Sequence, residues 1–201
     1  MKTNLIIGTR QSLLALWQSN HIADLLRRQY PECTVTLKKI ITKGDRILDV
    51  PLAKIGGKGL FTKELETALL EGEIDLAVHS LKDMPMEENP DFPITALPKR
   101  GDPRDVLVLP QMQHFENITA QIGSSSFRRQ IQLKKLFPSC HCLPVRGNII
   151  TRLQKLDCGE FSSLVLAGAG LQRVGLSERI SRYFSTDEMI PAAGQGILAV
   201  Q

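Results

Sequence analysis

The residues best suited to chemistry stand in one stretch, AVHSLKDMP at 77–85. There an apolar run passes through Ala77 and Val78 to His79, Ser80, Lys82 and Asp83, before Pro85 forbids a regular helix. A strand that delivers ionisable groups at its carboxyl end is where an open α/β sheet usually places its ligand. Asp83 is the acid–base candidate. Lys82 beside it favours the ionised carboxylate and burial would favour the neutral acid, so the direction of its titration stays open. A capping or turn aspartate ahead of Met84 and Pro85 is the competing reading. His79, on an apolar strand, reads as a satisfied core histidine rather than a catalyst.

Cations recur in one kind of local setting, where a strand ends and a helix starts. Arg10 lies just before Ser12, the expected N-cap of the first helix. Arg128 and Arg129 follow GSSS in the first turn of another, and Arg146 precedes Gly147 and the capping residue Asn148, with Arg152 a turn later. A helix N-terminus carries partial positive charge, so each such arginine costs about 0.3–1 kcal/mol. A bound anion, held between free N–H groups and guanidinium forks, would account for the repetition. Ser124, Ser125 and Ser126 add hydroxyl donors at the same place. The alternative is that the arginines lie on solvated faces and the serines only cap.

Other patterns carry less. AKIGGKGLF resembles a phosphate-binding loop but has Gly59 after Lys58, where that loop needs Ser or Thr. Its glycines give a freely jointed cationic segment, either a mobile ligand clamp or an ordinary surface loop. CHC at 140–142 lacks a further ligand at zinc spacing, so no metal is expected. No nucleophile elbow, dinucleotide fingerprint or paired-carboxylate pattern occurs.

The elements that must position these residues alternate. NLIIG reads as a buried strand, and Leu13, Leu16, Trp17, Ile22, Leu25 and Leu26 recur at helical spacing to about Arg28. TVTLKKII is a second strand, GLFTKELETALLEG a helix closed by Gly72, and IDLAVHS a third strand. A short strand is expected at 94–97, then a domain crossing in PKRGDPRDVLVLP ahead of another strand. The second half reads as AQIGSSS (strand), FRRQIQLKKLF (helix), CHCLPV (strand), NIITRLQKL (helix), SSLVLAGAG (strand into helix) and LSERISRYF (helix). The apolar, glycine-rich MIPAAGQGILAV returns to the first half. The expected architecture is two α/β lobes, 1–98 plus 190–201 and 99–189, with mixed, mostly parallel sheets and helices on both faces.

At 201 residues and 42% hydrophobic, the chain can build real cores and is not of disordered composition. The net charge of +4 does not by itself indicate nucleic acid. No apolar stretch approaches the roughly 18 residues of a membrane span, and MKTNLIIGTR turns polar too soon for a secretory signal. The four cysteines follow no disulfide-scaffold spacing, so the cytoplasm is the default address.

GTRQSLLALWQ, the run from KGDRILDV to HSLKDMP, DPRDVLV, GSSSFRRQIQL, RGNIITRLQKLDCGEF, LAGAGLQRVGL and PAAGQGILAV closely resemble the porphobilinogen deaminase (hydroxymethylbilane synthase) family, in order and over nearly the whole chain. The resemblance implies two lobes like a type II periplasmic binding protein, with a cleft between them. It also implies a cytoplasmic, monomeric transferase of haem and tetrapyrrole biosynthesis, engaging neither nucleic acid nor membrane. Such an enzyme joins four porphobilinogen molecules into hydroxymethylbilane with release of ammonia, and each pyrrole carries acetate and propionate groups that call for fixed cations.

By matching motifs, Arg10, Ser12, Gln18, Arg146, Arg152 and Arg173 would hold the substrate. Lys82, Asp83, Ser125, Ser126, Arg128, Arg129 and Gln195 would hold a dipyrromethane cofactor, and Asp83 matches the catalytic aspartate. Lys54, Lys58 and Phe61 would belong to a mobile loop near the cleft. The family's third domain, with the cysteine that anchors the cofactor, is expected to be absent: Cys33, Cys140, Cys142 and Cys158 stand in no matching context. This chain alone is therefore not expected to turn over. GSSSF is a smaller departure from the family pattern. A two-lobe receptor that closes on an anionic solute without chemistry is the competing function. It would share the arginines but has no use for the Lys82–Asp83 pair.

Overall fold

The computed structural model describes residues 3–46, 60–87, 89–111 and 119–201. The chain divides into two compact units, Met1–Arg100 with Ile197–Gln201, and Gly101–Gly196.

The first unit opens with β1 (Asn4–Thr9) and α1 (Leu13–Gln29), followed by β2 (Thr34–Lys39), the short α2 (Lys43–Arg46), α3 (Lys63–Leu70) and β3 (Leu76–Ser80). The last residues supply β9 (Leu198–Val200). The sheet order is β2-β1-β3-β9, with β1 parallel to both neighbours and β9 antiparallel to β3. Alternation along the strands covers both faces. Ile7 and Val78 pack with Ile22 and Ala23 of α1, whereas Ala77 packs with Leu65 and Ala68 of α3 and is joined by Ile6. Gly72, at φ +69°, ends α3 as the glycine there suggests.

The second unit contains β4 (Asp105–Val108), β5 (Gln121–Gly123), α4 (Phe127–Leu136), β6 (His141–Leu143), α5 (Ile149–Asp157), β7 (Ser163–Ala167), α6 (Gly168–Arg173) and β8 (Arg182–Tyr183). Its order is β6-β5-β7-β4-β8. The first three strands are parallel, and β4 runs antiparallel to β7 and β8. Val106, Val108, Leu164 and Leu166 face Leu153 and Leu156 of α5, while Leu107, Ile122 and Val165 face Leu133 of α4.

Two element expectations are corrected. LSERISRYF is not a helix: Ser177–Arg179 is a single 3-10 turn, and Arg182–Tyr183 pairs with Val106 and Leu107. Tyr183 packs into one core and its neighbour Phe184 into the other, on opposite faces of the sheet. Extended backbone sends adjacent residues to opposite faces, which the 3.6-residue period of a helix does not. At 94–97 the strand reduces to one bridge, Ala96 with Val200.

Candidate functional site

In the first unit the carboxyl edge of the sheet carries the candidates. Ser12 caps α1, its Oγ accepting from Ala15 N at 3.2 Å, and Arg10 lies between β1 and that cap. Arg10 is held rather than loose. Its Nε lies 3.2 Å from both oxygens of Asp45, its Nη2 pairs with Asp45 Oδ1, and its guanidinium sits 4.2 Å over the Phe61 ring. Thr42 Oγ1 donates to Asp45 Oδ2 at 2.7 Å. Burial pushes the Asp45 carboxyl up, but the hydrogen bonds and charge of Arg10 with the Thr42 bonds outweigh it, and the group ionises below its ordinary range.

Gln18, buried on α1, donates to Ser80 Oγ at 2.8 Å and so fixes the end of β3. The chain then makes the 3-10 turn Leu81–Asp83, closed by Met84 N to Leu81 O at 3.1 Å, with Leu81 N donating to Ile197 O at 3.0 Å. Lys82 and Asp83 are exposed on that turn. Among the described residues the Asp83 carboxylate has no hydrogen-bonding or ion-pair partner, in contrast to Asp45. His79 is buried behind the turn with its Nε2 unpartnered. Gln201 approaches it, yet Gln201 Oε1 and His79 Nε2 both stay outside hydrogen-bond geometry. His79 is therefore buried as expected for a core histidine, with its Nε2 left without a partner. Burial, with Arg10 opposing a further charge, holds its pKa down at about 4 despite Gln201. Lys54 and Lys58 lie outside the described residues.

In the second unit the same edge is built around a residue that the sequence reading missed. Because β4 is antiparallel, its first residue, Asp105, lies opposite Ala167 at the carboxyl end of β7. Asp105 is fully buried. Its Oδ1 accepts from Arg129 Nε at 2.9 Å, Arg129 Nη2 at 2.7 Å and Gln195 Nε2 at 3.0 Å. Its Oδ2 lies 2.8 Å from Arg128 Nη2, an ion-pair contact outside hydrogen-bond alignment. Burial raises this carboxyl, but the charge and bonds of Arg129, with Gln195 and Arg128, outweigh that and keep it ionised. Arg129 is thus committed inward, its Nη1 donating to Val165 O at 3.1 Å. Arg128 keeps a side chain 26% exposed.

Ser126 caps α4 by accepting from Arg129 N at 3.4 Å, and Ser125 exchanges two bonds with Val145 at 2.8 and 2.9 Å. Past β6, Asn148 Oδ1 caps α5 through Thr151 N, and Arg152 Nε donates to Gly147 O at 2.9 Å beside Arg146. Arg173 Nη2 donates to Gly196 O at 2.6 Å, and burial lowers its pKa from the ordinary arginine value.

The structure thus brings Arg128, Arg129 and Gln195 together on Asp105, with Ser126 capping the helix that carries both arginines, and separately sets Arg152 against Gly147 and Arg10 on Phe61. A signal for Asp105 was available: an acid heading a wholly apolar strand demands a partner. Asp45, in KGDR, carries no such mark. The edge donors suit a carboxylate-bearing group: the N-terminus of α4 presents N–H groups, Arg128 a partly open fork, and Ser126 a hydroxyl.

Residues 5–201 match the family model described as porphobilinogen deaminase, dipyromethane cofactor binding domain. A porphobilinogen deaminase of Ruminiclostridium josui is 57% identical over 195 residues, covering 97% of this chain and 66% of the relative; one of Thiobacillus denitrificans is 50% identical over 199 residues, covering 98% and 65%. The chain therefore spans just under two thirds of the length of these relatives. Among solved structures, the periplasmic VFT2 domain of BvgS from Bordetella pertussis superposes with a TM-score of 0.52 at 13% identity, over 98% of this chain and 80% of that one. The BenM effector binding domain with its effector benzoate does so with a TM-score of 0.50 at 16% identity, over 98% and 82%. These likenesses give the fold, of the type II periplasmic-binding kind, and the sequence match gives the lineage: the chain belongs to the porphobilinogen deaminase family.

Proposed function

We propose that the protein of which this chain is the α/β portion joins four porphobilinogen molecules into hydroxymethylbilane, with Asp83 as the catalytic carboxylate. The observation that carries this is the contrast between acids at the two sheet edges. Asp45 and Asp105 are neutralised by arginines, whereas Asp83 stands exposed on a one-turn 3-10 helix beside Lys82 and has no described partner. Each addition breaks the bond from the aminomethyl carbon to nitrogen, forms a carbon–carbon bond and removes one ring proton, so positive charge develops on the pyrrole. A fixed carboxylate can stabilise that charge and take the proton.

Arg10, Ser12, Gln18, Arg146, Arg152 and Arg173 are assigned to substrate binding, with Gln18 acting through Ser80. A dipyrromethane would be held by Lys82, Ser125, Ser126, Arg128, Arg129 and Gln195. When bound it supplies the pyrrole to which the first substrate ring is joined. Arg128 would meet its carboxylates directly, while Arg129 and Gln195 would act by holding Asp105 against Arg128.

The test is turnover of porphobilinogen by the full-length protein, following ammonia and linear tetrapyrrole together. Asp83→Asn is expected to lower kcat by roughly a hundredfold or more with modest change in KM, because general acid–base groups contribute about that much. Wild-type protein that releases no ammonia, or an Asp83→Asn variant as fast as wild type, rejects the assignment.

A further inference from the structure

Asp105 has more partners than a structural carboxylate needs. Arg129 alone would neutralise it, with two bonds to Oδ1 at 2.9 and 2.7 Å. Gln195 Nε2, bonded also to Pro103 O at 2.6 Å, adds a third contact to the same oxygen and stops the carboxylate from turning. Its second oxygen is thereby aimed at Arg128 Nη2, 2.8 Å away, while Arg128 Nη1 donates to Ile190 O. The more exposed of two successive arginines is thus gripped at both terminal nitrogens. One carboxylate against two guanidinium groups leaves a net positive charge of one at the start of α4, where the helix dipole adds to it. The edge therefore presents a positive charge of fixed geometry.

We propose that Asp105 is a positioning residue: held in place by Arg129 and Gln195, it fixes the Arg128 guanidinium through its second oxygen for a carboxylate of the bound pyrrole chain. This rests on the function proposed above. A merely structural Asp105 would hold the second unit together, and its loss would act independently of Arg128. A positioning Asp105 acts only through Arg128, so the two losses would not add.

The experiment compares full-length wild type, Asp105→Asn, Arg128→Leu and the double variant. It reads the pyrrole retained per chain with an aldehyde reagent, KM for porphobilinogen, and Tm. Asp105→Asn and Arg128→Leu are each expected to lower retained pyrrole or raise KM at least about tenfold, with the double variant no worse than Arg128→Leu. If Asp105→Asn does not fold, Asp105→Leu with Arg129→Met replaces the buried pair by apolar groups, which preserves folding, and should show the same loss. Normal retention and KM in the folded variant, or strictly additive losses, would reduce Asp105 to a structural partner and overturn the assignment. Wild type without pyrrole and without turnover would instead reject the function itself.

Discussion

His79 shows how a single buried group couples this protein to pH. Its folded pKa is held at about 4, against 6.5 for a free histidine, because burial disfavours the imidazolium and Arg10 opposes a further charge. The unfolded chain therefore binds the proton first. The neutral histidine contributes stability in full above about pH 6.5, and that contribution is lost as pH falls toward 4, on the order of 3 kcal/mol in all. Asp45 and Asp105, both depressed, act lower: their stability is present above the ordinary carboxylate range and is lost only below it. Thermal melts of wild type should fall between pH 6.5 and 4.5, and His79→Leu should flatten that slope while leaving the acid limb intact; an unchanged slope would remove His79 from the account. Sequence placed His79 on an apolar strand and Asp83 beyond it, because a polarity switch at a strand end is a one-dimensional signal. It could not show that the histidine's Nε2 is left unpartnered, or that Arg129 turns inward to Asp105, since both depend on strands distant in the chain.

Elements defined by local periodicity and caps were legible. Ser12, Ser126 and Asn148 each cap the helix their neighbours announced, accepting from Ala15, Arg129 and Thr151. LSERISRYF failed because its apolar positions fit a helix equally well, and what decides is pairing of Arg182–Tyr183 with β4, seventy-odd residues away. The turn into α5 offers a test at this scale. Gly147 holds φ +103°, and a Cβ there would lie 2.7 Å from Thr151 Cβ, on a stiff β-branched side chain. Gly147→Ala should cost about 1–3 kcal/mol and lower Tm by several degrees. A variant as stable as wild type would show that the turn relaxes freely.

The connectivity of the whole chain makes a stronger demand. Ile197–Gln201 leaves the second unit and completes the first: Leu198 and Val200 join the core with Ile7 and Val78, and Gln201 exchanges backbone bonds of 3.0 and 2.9 Å with Ala77. Gly101–Gly196, by contrast, closes on itself, with Gly101 N donating to Gly196 O at 2.9 Å and Arg173 reaching the same carbonyl. A chain ending at Gly196 should therefore injure the two units unequally. The first loses the burial of a leucine and a valine, on the order of 3–6 kcal/mol, together with the ladder that orders Ser80 ahead of Asp83. The second keeps every strand. Hydrogen exchange on the shortened chain should show lost protection in β1 and β3 with that of β5, β7 and β4 retained. Equal loss in both sheets would mean that the two units unfold as one cooperative block, and Asp83 would then depend for its placement on the entire molecule rather than on the strand that closes its own sheet.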